Sequence, residues 1–144
     1  MPAPPPSAYG WARGLAGSCF AGQSRNGLQR RRECFSLEDG FLVQTTYLGF
    51  PGRGTSHACR YETMGEDPGV FRMTCLTNFP YRKIARIDGD RITIHLINES
   101  VAVSQRWLLG DTILERAGPD RLELYHEGGS AQSPPITLHR VSED

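Results

Sequence analysis

The sequence predicts an all-β fold: an antiparallel up-and-down meander closed into a β-barrel of about eight to ten strands. Three observations predict it. Between Cys59 and Tyr125 nearly every residue belongs to a short run of alternating apolar and polar positions, or to the turn that ends one. Turn residues recur at regular spacing, and no stretch carries the period of a helix of useful length. About ten or eleven short strands joined this way would leave exposed edges as an open sheet, and closure into a barrel removes them.

A strand register is tested by whether it sends apolar residues to one face and charges to the other. With 65–69 as a loop, Cys59 faces Cys75, Tyr61 faces Met73 and Thr63 faces Phe71, while Glu62 pairs with Arg72 on the wet face. A tight hairpin on Gly110-Asp111 sets Trp107 opposite Leu114 and Arg106 opposite Glu115. A turn at Gly118-Pro119-Asp120 then places Leu114 against Leu124 and Thr112 against His126. Asp88-Gly89 is a further hairpin signal, between runs 81–87 and 91–97, where Ile92, Ile94 and Leu96 alternate with Arg91, Thr93 and His95.

Before this stretch, residues 1–10 read as a mobile proline-rich tail and 11–144 as a single barrel domain. A first run from Trp11 to Gly22 ends at the polar residues Gln23, Ser24 and Arg25. A turn on Asn26-Gly27 then starts the second strand at Leu28 and puts Cys19 opposite Cys34. That second strand has two candidate dry faces. A three-residue turn on Glu38-Asp39-Gly40 aligns Leu37, Phe35 and Glu33 with Phe41, Val43 and Thr45 and brings Arg31 near Tyr47, whereas a four-residue turn selects the other face. The first is preferred because it gathers Phe35, Leu37, Phe41 and Val43. Residues 49–54 form a glycine-rich loop without phosphate-loop spacing, either a flap at a cavity rim or an ordinary connection. A longer loop, 127–135, precedes the last strand, Ile136 to Val141.

At 144 residues the chain is long enough for one well-buried core. Sixteen basic residues balance sixteen acidic ones, so no electrostatic footprint for nucleic acid or an anionic membrane is present. No apolar run approaches the roughly 18 residues of a membrane span. The N-terminus has neither the basic nor the apolar region of a signal peptide, which predicts a cytoplasmic protein, or a secreted one if a signal had been removed. No nucleotide loop or metal signature is present, so no cofactor is expected. Cysteines 19, 34, 59 and 75 fall in mid-strand with no Cys-x-x-Cys pair, and they read either as two cross-strand disulfides or as small buried thiols.

The meander, together with Gly10-Trp11, Leu15-Ala16-Gly17 and Arg140 in the last strand, resembles the calycin superfamily: lipocalins, fatty-acid-binding proteins and related lipocalin-like bacterial barrels. In lipocalins a first-strand tryptophan is covered by an arginine from near the C-terminus. Here the glycine and tryptophan are adjacent, and Ser18-Cys19 follow the Leu-Ala-Gly triplet. The resemblance implies a barrel around a ligand cavity, and functions ranging from carriers of apolar molecules to small enzymes.

The registers place Tyr61, Gln105, Arg116 and His126 on the dry face, joined by Arg31, Glu33 and Tyr47 under the three-residue turn. Their apolar companions are Phe71, Met73, Ile92, Ile94, Leu96, Trp107 and Leu124. A buried arginine needs a partner or a ligand anion, so the expectation is a cavity for a small, largely apolar molecule with a polar or anionic end. Arg116 and His126 would equally reach water from a barrel mouth. An isomerase, cyclase or lyase in the same cavity would use Tyr61 or His126 to move protons. Lys83, the only lysine, could form an imine with a carbonyl ligand but is expected as a solvated strand-edge charge. His57, His95 and His139 read most simply as surface or strand residues. A homodimer is left open.

Overall fold

The computed structural model describes residues 3–65, 67–76, 83–96, 110–128 and 134–142. Ten antiparallel strands close into one barrel: β1 (Ser18–Gln23), β2 (Arg30–Glu38), β3 (Phe41–Phe50), β4 (Arg53–Thr63), β5 (Val70–Cys75), β6 (Lys83–Asp88), β7 (Arg91–Leu96), β8 (Gly110–Gly118), β9 (Arg121–Gly128) and β10 (Ile136–Val141). Each strand pairs with its sequence neighbour, and β1 pairs with β10 to close the ring. Among the described residues no helix is long and apolar enough to cross a membrane.

Several registers agree with the sequence. Cys19 faces Cys34 and Cys59 faces Cys75, and both pairs are disulfides, which resolves the alternative left open above. Tyr61 faces Met73, Thr112 faces His126 and Leu114 faces Leu124. On the outer face Glu62 accepts from Arg72 at 3.3 Å and from Arg60 at 2.5 Å. At the seam, a Cβ on Gly22 would lie 2.1 Å from the Thr137 carbonyl oxygen, so only glycine lets β1 approach β10 there.

The structure corrects five expectations. The β2–β3 turn has two residues, Asp39 and Gly40, both at positive φ (54° and 84°), the conformation Asp-Gly favours in a tight hairpin. Glu38 therefore faces Phe41, and the register slips by one against the three-residue alternative. β2 keeps its preferred inward face, but β3 turns over: Leu42, Gln44 and Thr46 point in, while Phe41, Val43, Thr45 and Tyr47 point out. Phe41 is nonetheless covered, with the Arg60 guanidinium 4.5 Å over its ring.

Gly110 and Asp111 lie inside β8, paired with Gly128 and Glu127, rather than in a hairpin turn. Leu114 is flanked by Ile92 and Leu124, and Glu115 by Arg91 and Glu123; Trp107 and Arg106, expected opposite them, lie outside the described residues. The β6–β7 turn sits on Gly89-Asp90, with Asp88 facing Arg91, one residue later than Asp88-Gly89. Residues 49–54 continue the ladder to Phe50 facing Arg53 and reverse over Pro51 and Gly52, a hairpin instead of an open loop.

The fifth correction concerns the N-terminus. Pro6–Leu15 form 3-10 turns interrupted at Gly10, which has φ 54°. Tyr9, Ala12 and Leu15 are buried and join the barrel core. The expected boundary between tail and domain at residue 10 thus falls within a segment that plugs one end of the barrel, and the first strand starts at Ser18 rather than Trp11. Proline at the start suits these turns because its φ is already set.

Candidate functional site

Alternation along ten strands turns one set of side chains inward, and this lining changes character along the barrel axis. Beside the plug it is apolar: Phe20, Phe35, Leu42, Phe71, Ile92, Leu114, Leu122 and Leu138 pack with Tyr9, Ala12 and Leu15. Phe71 stacks on Tyr9 at 5.3 Å and meets Tyr61 edge-on at 5.9 Å. Toward the other end, the mouth, the same face carries Arg31 and Glu33 from β2, Gln44 and Thr46 from β3, and His57 from β4. Lys83 from β6, Thr112 from β8 and His126 from β9 complete it.

Glu33 is the hub of this polar half. Its side chain is fully buried, and it accepts from Gln44 Nε2 at 2.8 Å, Thr46 Oγ1 at 2.5 Å and Arg31 Nε at 3.2 Å. Three donors compensate a carboxylate taken out of water, and Glu33 holds Arg31 in turn. The Tyr61 hydroxyl donates to Gln44 Oε1, extending the network toward the plug. Burial, then the Glu33 carboxylate and the Tyr9 phenol, push the Tyr61 phenol far above its ordinary range. Tyr61 is therefore a structural donor and a poor agent of proton exchange.

Lys83 Nζ lies 3.4 Å from His57 Nε2. Burial, followed by the Lys83 charge, lowers the His57 imidazole to about 4. Burial also lowers the Lys83 amine to about 8, with Arg31 pushing the same way and Glu33 opposing. His126 Nδ1 stands 3.4 Å from Thr112 Oγ1, and burial, then Arg31, hold this imidazole below its usual value. The charge of Arg31 is thus felt by His57, Lys83 and His126 alike.

A cavity of about 650 Å³ opens at the mouth, bounded by Leu124, His126 and Ile136 on one wall and by Leu28, Gln29 and Phe50 on the other. A second concavity, about 630 Å³, is walled by Arg30, Arg32, Tyr47 and Ser56. It lies on the outer surface, because Tyr47, Arg32, Ser56 and Ala21 form the register row beside the inward row Thr46, Glu33, His57 and Phe20.

Of the residues singled out from sequence, the barrel interior brings together Tyr61, His126, Arg31, Phe71, Met73 and Leu124. Tyr47 is excluded: the turned-over β3 leaves it outside and 44% exposed. Arg116 is excluded as well. It sits at the plugged end, ion-paired with Asp90 and 5.5 Å over the Trp11 ring, away from the mouth. Gln105 and Trp107 lie outside the described residues. Arg140 covers Phe20, at 4.9 Å, and donates to Ser18, whereas the sequence suggested Trp11 for that place.

The sequence reading missed Gln44, Thr46 and the inward placement of His57, and it expected Lys83 as a solvated strand-edge charge, whereas its amine is largely buried beside His57. Gln44 and Thr46 were hidden by the one-residue turn slip. His57 was legible, since it is two and four residues from Cys59 and Tyr61 on a face already assigned inward. Lys83 was legible by the same rule, two residues before Ala85 and four before Ile87. All four cysteines are held in disulfides, so none offers a thiolate to a metal, and the described residues show no cluster of three potential ligands. No protein-family model, curated protein or solved structure matches the chain.

Proposed function

We propose that the protein is a lipocalin-like barrel of the calycin type that binds a small, largely apolar molecule with a polar end. One observation carries this reading: the interior divides along its axis into an apolar floor against the plug and a hydrogen-bonding half below the mouth. Such a division fits an amphiphile, burying its hydrocarbon while its head meets groups held in place by Glu33. The lipocalin-like assignment is supported by the plug before β1 and by an arginine of the last strand capping an aromatic ring of the first.

Native mass spectrometry of the purified protein, followed by equilibrium titration with decanol and decanoate, tests the binding reading. Saturable binding of one molecule per barrel is expected. Absence of both a retained ligand and saturable binding overturns it.

The contact between the Lys83 amine and the His57 imidazole favours a second reading, a small enzyme needing no cofactor that isomerises, cyclises or cleaves its bound molecule. Turnover that falls on His57→Gln far more than affinity does would favour the enzyme. Matched, modest losses favour the carrier.

A further inference from the structure

The chain carries fifteen arginines and one lysine, and the lysine is placed inside the barrel beside an imidazole. Lys83 opens β6 facing Met73 on one side and Leu96 on the other, in the two-residue period of the inward Ala85 and Ile87. An arginine there would pair with an anionic head equally well, or better, through its planar fork. What arginine cannot do is lose its proton and add to a carbonyl carbon. The use of the chain's one lysine at this position therefore points to covalent chemistry.

We propose that Lys83 forms an imine with an aldehyde or ketone group on the molecule bound in the barrel, with His57 carrying the proton. This rests on the binding reading above and names the class of ligand. The Nζ lone pair attacks the carbonyl carbon, a C–N bond forms, and the carbonyl π pair moves to oxygen. His57 carries two protons in succession from the nitrogen to the oxygen, first giving the carbinolamine; the C–O bond then breaks, water leaves, and the C=N bond remains. Amine and carbonyl give imine and water, with no change of oxidation state and no further reactant.

The surroundings suit that step. Among the described residues the ionisable groups facing the amine are His57 from β4 and Arg31 and Glu33 from β2, while its neighbour on β5 is Met73. Burial and Arg31 bring the amine to about 8, so a useful fraction is unprotonated near neutral pH. With His57 lowered to about 4, its ring is neutral and able to accept a proton over the same range. Buried Met73 and the disulfide-closed wall beside it, Cys59 to Cys75, limit the water that would hydrolyse the product.

The test is reductive trapping of the intact protein with decanal and sodium cyanoborohydride, read by intact mass and peptide mapping, with decanol as the non-covalent control. The expected result is one decyl group on Lys83, competed by decanol, with a yield that rises through a midpoint near pH 8. His57→Gln is expected to slow trapping by at least about tenfold. If decanol binds but decanal labels only the N-terminal amine, or labels Lys83 without competition, the imine proposal is overturned and the binding reading stands. If decanol does not bind, the binding reading falls and the proposal with it.

Discussion

The Tyr9 hydroxyl donates to the Tyr61 carbonyl oxygen at 3.0 Å and accepts the Leu42 amide N–H at 3.0 Å. Leu42 and Tyr61 are the next pair in the β3–β4 register after Val43 and Arg60. A phenol from the plug therefore stands in the ladder where the two strands would otherwise bond directly.

Tyr9→Phe is expected to leave that buried amide and carbonyl unsatisfied and to destabilise the fold by about 2 to 4 kcal/mol. Denaturant unfolding measures this as a lower midpoint at unchanged slope. A loss below about 0.5 kcal/mol would mean that the strands close directly once the hydroxyl is gone.

Both disulfides join adjacent strands across short loops, with sequence separations of 15 and 16. Replacing either pair by serine is expected to cost about 3 kcal/mol, the chain-entropy value for such loops. The Cys59–Cys75 pair lies on the interior face, while Cys19–Cys34 lies on the outer face. Mild reductant should open Cys19–Cys34 first, as resolved by timed alkylation and peptide mapping.

His57 supplies a pH dependence of definite sign. Its folded value of about 4 lies below the ordinary value of 6.5, so between these limits the unfolded chain binds a proton that the barrel does not. Stability should therefore fall as the pH drops from about 6.5 to about 4. Lys83 acts in an alkaline window. Its folded value of about 8 is below 10.5, so stability rises between those limits as the unfolded chain gives up its extra proton. Urea midpoints measured from pH 4 to 10.5 check both, and His57→Gln should flatten the acid limb alone.

The position of the cavity makes two arginine and histidine variants diverge. Arg116→Ala acts at the plugged end and should leave decanol affinity within about twofold, whereas His126→Ala, on the mouth wall, should weaken it by roughly three- to tenfold. Isothermal titration separates the two. Equal effects would place the ligand elsewhere.

Much of the barrel is written in local signals. The 59/75, 19/34 and 114/124 pairings follow from turn position plus alternation, because a hairpin register is fixed by residues close in sequence. The failures share one cause: where two turn lengths fit, as at Glu38-Asp39-Gly40, a single residue decides which face of β3 is inside, and Tyr47 and Gln44 exchange places. The plug was illegible for a different reason. Tyr9 is buried by strands far away in sequence, and nothing within residues 1–15 specifies that contact. Arg116 was placed on the correct face but at the wrong end, since alternation gives sides and says nothing of depth along the axis.

The pairing of Phe20 with Arg140 joins positions at opposite extremes of the chain, and the Arg140 to Ser18 bond spans 122 residues. Hairpins such as β6–β7 can zip early and independently, but the ring itself can shut only after both extremes have been synthesised and have met. Late, slow closure of that seam is the step in which β1 and β10 still present bare backbone to neighbouring molecules, so crowding during refolding should cost more yield than it would for a protein of similar size built from local contacts.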